Sequence, residues 1–248
     1  ILDLPHNSWY HRVMTPLHLS LLGTFALHDR GRPLDLTIGK IQALLAYLAI
    51  NTAPVPREQL LALLWAESHP DAARKNLRNR LWQLRQLTAE EIVITKGEMI
   101  ALAPAVQSDV VTFIAGIQTH LATAPVNPSG LRTLLTLWRG PLLDGLQLSE
   151  APEFELWLSR ERERLGQLHR QALESLIGAH AEKQEWEEVI TLAHQGLLQE
   201  PLHEPLYQQL MVAYTKQGRR AEAIRQYDQL HKLLATELAV PPLPATEA

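Results

Sequence analysis

The sequence predicts a mainly α-helical protein with a small β component, divided into a mixed β/α first part and an all-α second part. Three observations carry this. Residues 17–36 alternate apolar and polar before giving way to helical spacing; a basic helix at 71–87 precedes two short apolar runs across a glycine turn; and the second half matches itself at an offset of 34 residues.

Residues 17–23 (LHLSLLG), 25–29 (FALHD) and 34–36 (LDL) suit short strands, with a turn at Arg30-Gly31-Arg32-Pro33, and predict a small antiparallel sheet. From Ile38 the period becomes helical, with Ile41, Leu44, Leu45 and Leu48 inward, until Asn51-Thr52-Ala53-Pro54 ends the helix. A second helix is expected over 57–65, its Leu60, Leu61 and Leu64 apolar, and Ser68 with Asp71 reads as a capping box opening the third.

That third helix is the centre of the first part. Residues 74–87 (RKNLRNRLWQLRQL) hold five cationic side chains and no anionic one. At about 100° per residue Leu77, Leu81 and Leu84 gather on one face beside Ala73. The opposite arc carries Lys75, Arg78, Asn79, Trp82, Gln83 and Gln86, with tips long enough for base edges, while Arg74, Arg80 and Arg85 flank it at a height suited to phosphates. After a polar connection, IVIT and MIALA on either side of Lys96-Gly97-Glu98 read as a hairpin. The order of sheet, two helices, basic helix and hairpin is that of a response-regulator-type winged helix. In that fold the third helix enters the major groove and the hairpin wing, here with Lys96 near its tip, touches the backbone or minor groove.

Only a few residues, AVQSD among them, separate the hairpin from the composition that turns helical at Ser108-Asp109. Helices are expected at about 131–138, 151–183, 185–199, 203–217 and 219–236, with residues 124–130 a break between helices. Glu188, Val189 and Ile190 match Glu222, Ala223 and Ile224; Leu173, Leu176 and Ala179 match Tyr207, Leu210 and Ala213. Both sets lie 34 apart, the tetratricopeptide period, and stacked helix pairs leave a concave face suited to protein partners. The domains expected are therefore a tail at 1–16, a winged helix at 17–104, a tetratricopeptide-like helical domain at 105–242, and a tail or linker at 243–248, where proline is dense.

Hydrophobic residues make up 46% of the chain, enough for globular cores, and the net charge is -4. Residues 17–104 carry 10 Lys and Arg against 8 Asp and Glu, whereas 105–248 carry 12 against 18, so any attraction to a polyanion is confined to the first part. The chain has no cysteine, which excludes disulfides and cysteine-based zinc sites and fits a reducing cytoplasm. No apolar run is long enough to span a bilayer, so no membrane partner is expected. Gly39-Lys40 lacks the upstream glycine of a phosphate loop and reads as a helix start near the DNA backbone, which adds Lys40 to the candidate contacts. Neither Gly-x-Ser-x-Gly nor His-Glu-x-x-His occurs, and the eleven histidines form no ligand pair on a helix face, so neither catalysis, nor a cofactor, nor a metal is expected. Trp65, Trp138, Trp157 and Trp186 sit in core patterns; Trp82 points away from its leucines, toward sugar-phosphate or toward a neighbouring domain or protomer.

LHLSLLGTF, QALLAYLAIN, VPREQLLALLW, AARKNLRNRLWQLRQL and SDVVTF together resemble the N-terminal part of the Streptomyces antibiotic regulatory protein (SARP) family. LWRGPLLDGL, FELWLSRERERL, LLQEPLHEPLYQQLMVAYTKQGRRAEAIRQYDQL and TELAVPP are similar to the bacterial transcriptional activator domain of the same proteins, so the resemblance covers roughly residues 17–242. Family members usually carry a basic residue at Gln83 and a small one at Trp82, a departure that bears on base preference. The resemblance implies a transcriptional activator that binds double-stranded promoter DNA at direct repeats, side by side with self-association on the DNA, and recruits RNA polymerase. The competing class is a signalling scaffold whose repeats bind a protein and whose winged helix is a docking domain.

Overall fold

The computed structural model describes residues 17–87, 91–123 and 127–247; the N-terminal tail, the 88–90 connection and residues 124–126 of the inter-helix break lie outside them. The chain divides into two compact units: residues up to 112 together with 137–163, and 113–136 together with 164 onward.

In the first unit β1 (Leu17–Ser20), β2 (Ala26–Asp29) and β3 (Arg32–Leu34) form the expected antiparallel set, with Leu19 opposite Leu27 and Leu27 opposite Leu34. Leu17 and Leu19 are buried and His18 is exposed, as period-2 alternation requires. The turn is tighter than its composition suggested. Arg30 (φ 52°) and Gly31 (φ 76°) form a two-residue hairpin loop, and Arg32 and Pro33 already belong to the strand. Proline is tolerated there because β3 is an edge strand.

α1 (Gly39–Ile50) is buried nearly all round and is the central helix of the unit. It ends where Asn51 turns both its backbone N–H and its side-chain amide onto the Tyr47 carbonyl. The short β4 (Val55–Pro56) precedes α2 (Arg57–Trp65), which buries Leu60, Leu61, Leu64 and Trp65. α3 (Pro70–Leu87) starts one residue later than the capping box required. His69 is the residue before the helix, its carbonyl accepting the Ala73 N–H, and Pro70 takes the first helical position, where a missing N–H costs nothing.

The wing hairpin is β5 (Val93–Lys96) and β6 (Met99–Leu102), with Gly97 at φ 59° in the first central position of its two-residue loop. Two strands were hidden in the sequence. β4 pairs with β6 through Val55 opposite Ile100, making the wing three-stranded, and β7 (Val106–Ser108) pairs parallel with β1 through Leu17 opposite Val106. The first sheet is therefore β3-β2-β1-β7, not purely antiparallel. Strands of two or three residues are too short to show a period, so only their partners define them.

β7 leads straight into α4 (Asp109–Leu121), followed by α5 (Pro128–Leu135), whose Asn127 side chain accepts the Gly130 N–H at 3.3 Å. Residues 137–151 fold back on the first unit: Leu142 bridges Leu22, and Arg162, from the first half of α6 (Pro152–Glu182), donates to the Leu142 and Leu143 carbonyls at 2.8 and 2.7 Å. Trp65 is buried as expected, whereas Trp138, Trp157 and Trp186 are half-buried.

In the second unit the 34-residue period is visible in the backbone. α6 ends and α7 (Trp186–Gln199) begins through Gln184, at φ 59°; α8 (Glu204–Lys216) passes to α9 (Arg220–Glu237) through Gly218, at φ 75°. At the first turn the Gln184 and Glu185 N–H groups bond the Ala181 and His180 carbonyls; at the second, those of Gly218 and Arg219 bond Thr215 and Tyr214. Every position is displaced by 34, and both turns end their helix with the same left-handed motif. Buried Leu173, Leu176 and Val189 correspond to buried Tyr207, Leu210 and Ala223. The helices pack closely at Gly196, where a Cβ would fall 2.5 Å from Leu206 Cδ1 and 2.7 Å from Leu173 Cδ2.

Residues 243–247, expected as tail or linker, instead return to α8. α10 (Pro244–Glu247) is held there because the buried Glu204 carboxylate accepts the Leu243 N–H at 2.6 Å and the Thr246 hydroxyl, while Gln208 donates to Thr246.

His169 in the second unit gives a pH expectation. Burial drives its pKa down to about 4, against the pull of Glu200 and with the help of Arg170. A depressed value means the folded state takes up the proton less readily, so stability is present above the ordinary value near 6.5 and is lost as pH falls toward 4. Urea titrations at pH 7 and pH 5 are expected to show a loss on the order of 1–2 kcal/mol that His169→Leu reduces. Equal acid sensitivity in the variant would assign the loss to other groups.

Candidate nucleic-acid interface

α3 is fixed by its inner seam. Ala73, Leu77, Leu81 and Leu84 are all buried, and the helix packs on α1 and α2. The spacing 73, 77, 81, 84 holds one face inward, and the period then forces Lys75, Asn79, Trp82 and Gln86 outward, where all four are exposed. Arg78 is exposed beside them, and Arg74 and Arg85 are exposed along the same flank.

The other flank differs from its sequence reading. Arg80 and Gln83 are only half-exposed and engage each other, Arg80 Nη1 donating to Gln83 Oε1 at 2.8 Å, while Arg80 Nε is buried with no hydrogen-bond partner among the described residues. At 100° per residue Arg80 falls about 60° from the centre of the buried seam and Gln83 about 120°, and the bond between them draws both toward that flank. Lys40 does not join the exposed face. Its side chain is 14% exposed, its ammonium lies 5.3 Å from the Trp65 ring centre and 3.9 Å from Glu150, and burial lowers its pKa, with the charge of Arg80 adding to that and Glu150 opposing it.

On the opposite flank the cations are lightly held. Arg74 lies 3.5 Å from Glu58 and 3.7 Å from Asp71, all three well exposed. Surface pairs of this kind are worth only about 0–1 kcal/mol, so a phosphate can replace the carboxylates. Arg85 donates to Thr95 Oγ1 at 3.0 Å, joining the end of α3 to β5. Arg57 does the same for α2: its N–H donates to the Glu98 carbonyl at 2.8 Å and its Nε lies 3.8 Å from the Glu98 carboxylate. Sequence reasoning missed this clamp, because Arg57 and Glu98 are distant in the chain and each is ordinary where it stands. The wing is thus tied to both helices, with Lys96 exposed opposite Met99 beside the loop.

The arrangement offers a helix of about 10–12 Å diameter whose outward face carries no acid beyond Asp71 in its first turn, matched to a major groove about 12 Å wide. Of the ten sequence candidates the structure brings Arg74, Lys75, Arg78, Asn79, Arg85, Gln86 and, on the wing, Lys96 to the exposed surface. Gln83 and Arg80 lie at its margin, and Lys40 lies away from it.

Comparison with known proteins agrees with this architecture. Residues 125–248 match the family model of the bacterial transcriptional activator domain. The chain is 28% identical over 245 residues to the transcriptional regulatory protein EmbR of Mycobacterium tuberculosis, covering 94% of this chain and 62% of that protein. It is 28% identical to the regulatory protein AfsR of Streptomyces coelicolor, covering 93% of this chain and 23% of the other, and 26% identical to the regulatory protein DnrI of Streptomyces peucetius, covering 91% and 88%. Among solved structures, Mycobacterium tuberculosis EmbR in complex with a low affinity phosphopeptide superposes with a TM-score of 0.72 at 25% identity, over 94% of this chain and 63% of that one. The chain therefore spans somewhat under two thirds of the EmbR length it matches. The fold is a response-regulator-type winged helix followed by a tetratricopeptide-like helical repeat domain.

Proposed function

The chain belongs to the SARP family of bacterial transcriptional activators, whose activator domain it carries over residues 125–248, and from that premise we propose that it is a sequence-specific regulator binding double-stranded promoter DNA through α3 and the wing. The observation that carries the reading is the exposed face of α3, where Lys75, Arg78, Asn79 and Gln86 are in no ion pair among the described residues, on a helix whose other side is fixed in a core. Arg74, Arg78 and Arg85 act on phosphates; Asn79, whose amide matches the N6 and N7 edge of adenine, reads a base; Lys96 touches the backbone beside the groove.

The division of labour follows charge. The proposed DNA-binding domain is residues 17–104, and the proposed helical domain, residues 105–242, holds most of the matched activator domain. The second, net acidic, gains nothing from phosphates and serves protein contacts, with RNA polymerase as partner and self-association on direct repeats. No helix among the described residues is long and apolar enough to cross a membrane, and the proposed setting is the cytoplasm, without a catalytic role.

Mobility shift on genomic fragments followed by footprinting tests the reading. Arg78→Ala or Arg85→Ala is expected to weaken binding to the footprinted site and to a scrambled duplex alike, lowering the salt slope by about one for each phosphate no longer neutralised. Asn79→Ala is expected to cost about 1–3 kcal/mol on the best site and much less on scrambled DNA. Equal losses on both duplexes for Asn79→Ala would move base reading elsewhere. Failure of the unaltered protein to shift any fragment would favour the scaffold reading.

A further inference from the structure

Trp82 is 62% exposed, while the other tryptophans among the described residues, Trp65, Trp138, Trp157 and Trp186, are buried or half-buried. Among those residues it has no aromatic, cationic or hydrogen-bonding partner, unlike Trp65 under Lys40 or Trp157 against Tyr47. An indole joins a large apolar body to a polar N–H, and tryptophan is for that reason enriched where a second surface meets the protein.

Its place on α3 limits what that surface is. Lys75, Asn79, Trp82 and Gln86 run in one line at spacings of four, three and four residues, directly opposite the buried seam. Trp82 therefore stands on the outward face, about 40° from its mid-line and about 40° from Arg78 on the flank that reaches for phosphates. From Asn79 to Trp82 the helix rises about 4.5 Å, between one and two base steps of about 3.4 Å. The apolar group that the floor of the major groove offers to a side chain in that position is the C5-methyl of thymine.

The geometry points to Trp82 as a specificity-determining residue that packs its ring on a thymine methyl one or two base steps from the base read by Asn79. The inference rests on the DNA-binding reading and deepens it. The amide of Asn79 and the indole of Trp82 then read neighbouring positions by different means, one by hydrogen bonds and one by apolar contact. Lys75 and Gln86 close the line at either end.

The test is a duplex carrying the footprinted site, with each thymine replaced in turn by deoxyuridine, which deletes the methyl and leaves base pairing intact. One replacement, within two steps of the position that loses specificity in Asn79→Ala, is expected to weaken the unaltered protein about fourfold, the worth of one buried carbon. The same replacement is expected to leave Trp82→Ala unaffected and Trp82→Phe partly sensitive. Trp82 is outside the core, so Trp82→Ala should keep the native circular dichroism spectrum. Insensitivity to every deoxyuridine, or a loss that persists in Trp82→Ala, would overturn the assignment while leaving DNA binding intact. Unchanged affinity of Trp82→Ala for a single site with lost cooperativity on two adjacent sites would overturn it in favour of a second copy of the chain covering the ring. Absence of any shift by the unaltered protein would remove both this inference and the reading beneath it.

Discussion

Asp109→Ala is expected to destabilise the first unit by about 1–3 kcal/mol, the cost of leaving buried backbone donors without their acceptor, to which the half-exposed Arg139 adds little. The Asp109 carboxylate opens α4 at 9% exposure. It accepts the Leu21 N–H at 2.8 Å and the Leu22 N–H at 3.2 Å, and it pairs with Arg139, whose Nε also donates to the Leu22 carbonyl. One side chain thus fastens the end of β1, 88 residues before it, to Arg139, 30 residues after it, where β7 has just paired with β1. Alanine leaves the N–H groups of Leu21, Leu22 and Val110 without this acceptor, and an unmet buried donor loses its full hydration. Burial holds this carboxyl above its ordinary value, with the three backbone N–H groups of Leu21, Leu22 and Val110 and the charge of Arg139 pulling it back down. A group raised in the folded state contributes stability that is present below its unfolded value and lost as pH rises through its folded value. Arg139→Ala should therefore raise it further and steepen that loss. Urea denaturation followed by circular dichroism measures both; a loss under about 1 kcal/mol for Asp109→Ala would mean that water replaces the carboxylate at the strand end.

Leu81→Ala is expected to cost about 2–5 kcal/mol, because a side chain 5% exposed leaves a cavity in the seam of α3. Its neighbours in that seam, Ala73, Leu77 and Leu84, belong to the same rigid helix and cannot close the space independently. The variant is expected to lose affinity for the footprinted and scrambled duplexes in equal proportion, and only in proportion to the fraction unfolded. This separates it from Asn79→Ala, whose loss should appear on one duplex with the denaturation midpoint unchanged. A selective loss of the best site in folded Leu81→Ala would show that the seam tunes the reading face as well as carrying it.

Much of the fold was legible wherever an element was long enough to repeat a pattern. α2 and α3 fall within a residue of their expected limits, and the buried set of α3 is the one its period requires. The 34-residue offset reappears hydrogen bond by hydrogen bond at Gln184 and Gly218. β4 and β7 were not legible, because two or three residues carry no period and become strands only when Ile100 and Leu17 lie opposite them. The 243–247 segment read as a linker by its prolines, and the buried Glu204 carboxylate, far away in sequence, makes it part of the helical unit.

The candidate site divides along the same line. Sequence alone determined that α3 has a basic face opposite an apolar one, since helical geometry follows from local spacing and needs no partner. It likewise determined that Asn79 and Trp82 point outward. Only the tertiary structure decided that Lys40 withdraws over Trp65 and that Arg57 and Arg85 hold the wing. A long charged side chain takes its direction from whichever opposite charge, ring or carbonyl lies within its reach, and those groups are brought there by parts of the chain that no local pattern contains.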